Sequence, residues 1–207
     1  YPSYVGAQGL GGTYREYLQA WIDAVGAENM LALSHDYYPF GTESTNTGIF
    51  SDMEDMRYIA YQNGKLPTHA FLQSTGWTNM RMPDMDEIRW NAYSYLAYGF
   101  KALSYFNYCN PGASGEGFDV SLIMPDGTIP DRQLFDDVAD FNWSLRLLGT
   151  ELMNLDAVHA YHTTSRYAGT EVLPSNFFIR PDSSCDFVIS LMESKDDTGY
   201  SVMLFNN

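Results

Sequence analysis

Apolar residues recur at helical spacing in four stretches of the chain, and each stretch is bounded by stop and start signals. Tyr14, Tyr17, Leu18, Trp21, Ile22 and Val25 form one stripe. Thr13 with Glu16 makes a capping box before it, and Gly26 stops it. A second helix is predicted from about Asp52 to Asn63, with Ser51 and Glu54 as a capping box and Gly64 at its end. A third runs from about Met85 to Tyr98, with Ile88, Ala92, Tyr95 and Leu96 on its buried face, Asp84 as cap and Gly99 behind. The fourth spans about Asp131 to Leu148, carries Leu134, Val138, Phe141, Leu145 and Leu148 on one face, and meets Gly149.

Between these helices lie short apolar runs without a helical stripe, at 29–36, 68–75 and 100–108. Strands alternating with helices predict β-α units and a parallel sheet, its strands side by side in chain order. Helix-to-strand connections are short, whereas the strand-to-helix loops at about 37–51, 76–84 and 109–130 are long. Long loops therefore gather at the carboxyl ends of the strands, the functional face of β/α folds. After Gly149 the pattern becomes alternating, with a hairpin-like turn at 195–199. The expected organisation is an α/β unit over 1–156 and the start of an all-β domain over 157–207.

Composition narrows the partners. A net charge of −15 argues against nucleic acid and anionic membranes, which require basic surfaces. No apolar run reaches the length of a membrane helix. Cys109 and Cys185 stand alone, so neither a disulfide framework nor a metal site is expected, and no cofactor motif appears; "GLGG" at 9–12 lacks phosphate-loop spacing. Aromatic residues make up 15% of the chain, sixteen of them Tyr. Such faces pack cores and also stack on sugars. The chain starts at Tyr1 and its last residues read as a strand, so a piece of a longer protein is expected.

The candidate chemistry sits at the strand ends. Asp36, in "HDYYPFG", ends the first strand. A carboxylate there can act as acid, base or nucleophile, or cap the loop; three aromatic residues beside it favour the functional reading. His35 falls on the opposite side of the strand and is expected to pack against a helix. Gln73 ends the second strand and suits ligand hydroxyls, and Trp77 in the next loop either floors a sugar subsite or covers the rim. Asn107 and Tyr108 at the third strand end are expected ligand contacts, Tyr105 a core residue. His69 is expected to be structural, and His159 and His162 have no evident partner in the sequence.

"EIRWNAYSYLAYGFKALSYFNYCNPG" (87–112) resembles the helix 7 and strand 8 region of (β/α)8-barrel glycoside hydrolases, in particular the family 42 β-galactosidases and their clan A relatives. "HDYYPFG" is similar to their strand 6 ending, "AFLQSTGW" to strand 7, "GTIPDRQLFDDVADFNWSLRLLGTEL" to the last barrel helix and "VHAYHTT" to the entry into a C-terminal β-sandwich. The resemblance implies the C-terminal half of a TIM barrel, from the end of strand 5 at 1–4 to helix 8, followed by the start of that sandwich. It implies cleavage of a glycosidic bond in an oligo- or polysaccharide, with Asp36 catalytic and Tyr37, Gln73, Trp77, Asn107 and Tyr108 holding the carbohydrate. The family's acid/base Glu belongs to strand 4, outside this chain, and its nucleophile Glu to the end of strand 7, where this sequence has Gln73. Either the register is one turn off, or another carboxylate serves, or the protein binds carbohydrate without cleaving it.

Overall fold

A computed structural model describes residues 12–112, 117–164, 167–182, 184–196 and 198–207. Residues 1–11, including the expected end of a barrel strand and most of the "GLGG" segment, lie outside them. The described chain is mixed α/β, in the order α1 (Tyr14–Val25), β1 (Leu33–His35), α2 (Ile49–Gln62), β2 (Thr68–Gln73), β3 (Thr75–Trp77), α3 (Met85–Ala97), β4 (Ala102–Phe106), β5 (Phe118–Ser121), α4 (Arg132–Leu152), β6 (Leu155–His162), β7 (Glu171–Val172), β8 (Phe187–Ser194) and β9 (Tyr200–Asn206).

β1, β2 and β4 form one parallel sheet in that order, as the strand–helix alternation predicts. Leu33, Ala70 and Leu72 point from it into a core shared with Leu18 and Ile22 of α1, Phe50, Met53 and Met56 of α2, and Ile88, Ala92 and Tyr95 of α3. A second sheet, ordered β7-β6-β8-β9, packs on the far side of α2 and α3. Its Ala160, Val188 and Phe205 belong to the same core. The two middle helices are thus sandwiched between a parallel sheet and a mostly antiparallel one. The expected boundary at 156/157 falls inside β6. The approach is close: Gly99 holds φ 82, and a Cβ there would stand 2.6 Å from the Ala157 Cβ.

Several expected elements shift, each for a visible reason. α1 has the predicted bounds and capping box. α2 starts earlier, at Ile49, and Glu54 does not cap it; the Glu54 carboxylate is buried against Arg57. β1 is shorter than 29–36, because Ala27–Asn29 form a 3-10 turn and Leu31 is 95% exposed. α4 runs past Gly149 to Leu152, whose side chain packs with Leu96, Ala157 and Met192 and whose carbonyl accepts a hydrogen bond from Lys101 Nζ at 2.9 Å. Those contacts offset the roughly 1 kcal/mol that a helical glycine costs.

The histidines are all partnered. His35 is buried, shares a hydrogen bond of 3.0 Å with Tyr95 Oη and lies 3.6 Å from Asp52. His69 bridges Ser34 Oγ at 2.7 Å and Ser104 Oγ at 2.9 Å across the three parallel strands. His159 meets Glu171 at 2.7 Å. His162, held to Tyr98 Oη at 2.7 Å, is driven down to about 4 by burial. The last two pairings span 12 and 64 residues and left no mark in the local sequence pattern.

Candidate functional site at the carboxyl end of the sheet

The long loops at 36–48, 74–84 and 107–131 all rise from the carboxyl end of the parallel sheet. They are tied together. β3 and β5, from the second and third loops, pair antiparallel. Phe40 bridges to Thr45, Gly41 to Met80, and Cys109 to Ile123.

Asp36 directly follows β1 and is half-buried, with one carboxylate oxygen out of contact with solvent. In the alternation of β1 it is in phase with Ser34. Tyr38 continues that parity. Its ring meets Trp77 edge-on at 5.1 Å and Phe106 at 4.8 Å. Trp77 also contacts Phe106 at 5.9 Å and Phe118 at 5.8 Å, while Phe106 contacts Phe118 at 5.9 Å. Four aromatic rings from three loops and one strand therefore cluster beyond the strand ends.

The expected contacts divide. Trp77 is in the cluster. Tyr37 turns the other way, stacks on His35 at 5.7 Å and sets its hydroxyl beside Asn46. Burial, then the nearby Asp52 charge, push that hydroxyl up to about 12. Asn107 is half-buried just past β4. Tyr108 is 37% exposed and leans on Tyr105 and on Phe135 of α4, away from the cluster. Tyr105 packs against the core and donates to Asn142 at 2.7 Å.

Gln73 takes a different part from the expected ligand contact. It is fully buried. Its Oε1 accepts the Phe40 N–H at 2.9 Å, and its Nε2 donates to the Phe40 carbonyl at 3.0 Å and the Arg81 carbonyl at 2.8 Å. Both amide protons are used, so the side chain clasps two loops and offers no donor to a ligand. A glutamate in this place would turn carboxylate oxygens toward two carbonyls. The Arg81 guanidinium extends the clasp to the Gly41 carbonyl and to Glu87, which also completes the Asp84 capping box of α3.

Phe106 and Phe118 were not singled out by the sequence, whereas Tyr38 is one of the aromatic residues read as shaping a pocket beside Asp36. Parity could have found Phe106, which pairs in register with Gln73. Phe118 carried no signal. A cleft of about 370 Å³ lies beside this region, between the first turns of α3 and α4, and none of the expected contacts lines it. Its Asp84 and Asp131 are N-caps. Among the described residues, no group of three His, Cys, Asp or Glu side chains is placed to hold a metal ion, and no helix is long and apolar enough to cross a membrane. No protein-family model, curated protein or solved structure matches the chain.

Proposed function

We propose that the parallel β-α units belong to the C-terminal half of a (β/α)8 barrel and that the protein is a glycoside hydrolase acting on an oligo- or polysaccharide. The observation that carries this reading is that Asp36 follows β1 at the carboxyl end of the parallel sheet, the same end at which the Tyr38–Trp77–Phe106–Phe118 cluster gathers. A carboxylate next to apolar rings is the minimum equipment for sugar chemistry: the rings take the C–H face of the pyranose, and the carboxylate handles a proton or orients a substrate group. Glycosidic cleavage takes two carboxyl groups flanking the bond. Asp36 supplies one, and the second comes from the other half of the barrel.

A second reading is carbohydrate binding without turnover. It is favoured by Gln73, which the resemblance would set at the nucleophile's place and whose amide is committed to Phe40 and Arg81. Turnover of a panel of aryl glycosides by the full-length protein, with binding of the same sugars measured calorimetrically, separates the two. Release of the aryl group is the expected result. Binding with no release establishes the second reading, and neither binding nor release excludes both.

A further inference from the structure

The second sheet has unequal edges. At one edge, β7 is two residues long. At the other, β9 has seven residues and runs against β8 without a shift of register. Proteins guard a sheet edge by keeping the strand short, or with a bulge, a proline or a charged side chain. β9 uses none of these devices: residues 200–207 carry no charge and no proline, in a chain of net charge −15.

The ladder shows which backbone groups stand free. The Ser194 N–H donates to the Gly199 carbonyl at 2.9 Å, and the Asn207 N–H to the Asp186 carbonyl at 2.8 Å. Bonded positions alternate along an antiparallel pair. Ser201, Met203 and Phe205 therefore turn their backbone groups to β8, and Tyr200, Val202, Leu204 and Asn206 turn theirs outward. Among the described residues no strand pairs with that outward row. The side chains keep the same alternation. Met203 and Phe205 join the core, whereas Tyr200 is 70% and Leu204 55% exposed.

We propose that β9 pairs antiparallel with β9 of a second copy of this chain, joining the two second sheets across a two-fold axis. A row of free N–H and C=O groups is complementary to another extended strand. Charge selects which strand. Two copies of net charge −15 repel over most of their surface, and β9 lets them meet without bringing like charges together. It also offers no carboxylate to a basic partner. The register is self-complementary, as a two-fold interface requires. With Met203 opposite its own equivalent, Val202 faces Leu204 and Tyr200 faces Asn206. Outward backbone groups then meet outward backbone groups, and the apolar side chains of the pair lie across from each other.

Sedimentation equilibrium tests this on the full-length protein, which is expected to be a dimer at micromolar concentration. Val202→Pro removes an outward N–H and leaves the β8–β9 ladder whole. Leu204→Lys adds a charge to each side of the axis. Each variant is expected to keep the wild-type circular dichroism and to raise the dimer dissociation constant by about tenfold or more, since symmetry counts every lost hydrogen bond twice. A monomeric wild type, or an assembly that survives unweakened in either folded variant, overturns the proposal.

Discussion

Asp36→Asn in the full-length protein is expected to lower kcat on an aryl glycoside by roughly 100- to 10,000-fold, the range a positioned acid–base group contributes. The substitution keeps the side chain's shape and removes its charge, so cooperative thermal unfolding should persist. Trp77→Ala should act differently. The ring belongs to the aromatic cluster, which under the proposed function stacks on ground state and transition state alike, so its loss should raise KM more than it lowers kcat. If both residues only packed the loops, both variants would melt at lower temperature and the surviving folded enzyme would keep its kinetic constants. Steady-state kinetics and melting curves on the same samples distinguish these outcomes. Unchanged kinetics for Asp36→Asn would remove Asp36 from the catalytic assignment.

Arg57→Met is expected to cost the folded chain about 3–5 kcal/mol, the usual penalty for stranding one member of a buried ion pair. Arg57 and Glu54 have side chains only 4% exposed. The Arg57 Nε–H donates to Glu54 Oε2 at 2.8 Å, one terminal nitrogen reaches the Val158 carbonyl of β6, and the other lies 3.1 Å from Glu171. The side chain therefore joins α2 to the second sheet. Burial raises the Glu54 carboxyl, and Arg57 pulls it back down. Without Arg57 the carboxyl rises further. A group whose folded pKa is raised contributes stability at low pH and loses it as pH climbs through the folded value. The deficit of Arg57→Met should accordingly be larger at a pH of about 8 than at about 5. Adding Glu54→Gln should recover much of the loss. Urea unfolding at both pH values measures this. A deficit below about 1 kcal/mol, the level of an exposed pair, would contradict the assignment.

The sequence disclosed most of the parallel β-α portion because its signals are local. Thr13 and Glu16, or Asp84 and Glu87, lie within one helical turn of each other, and both capping boxes form. Ser51 and Glu54 have the same spacing, and the box fails because Glu54 is claimed by Arg57, which in turn reaches residues more than 100 positions away. α4 outruns Gly149 for a similar reason: Lys101, at the start of β4, takes the last carbonyl of the helix. Distant partners of this kind leave no mark in a local pattern.

The site shows the same division. The strand ends and the inward packing of His35 were legible. The roles of the side chains around it were not, because they depend on which loop meets which. Gln73 reads as a ligand contact until Phe40 and Arg81 are seen closing on it. Tyr37 and Tyr38 are adjacent and chemically alike, and the turn sends one to His35 and the other to Trp77. Tyr108 meets Phe135 of α4, a helix that begins only after the whole third loop.

The central claim, a carbohydrate site at the carboxyl end of the parallel sheet, is tested most directly at the Trp77 indole N–H. The full-length protein, labelled with ¹⁵N and assigned through Trp77→Phe, is titrated with the thio-linked analogue of the glycoside it cleaves fastest. The account predicts a saturable shift of the Trp77 signal, with the indole signals of Trp21, Trp90 and Trp143 unmoved. Saturation of the protein by that analogue with the Trp77 signal unmoved would contradict it.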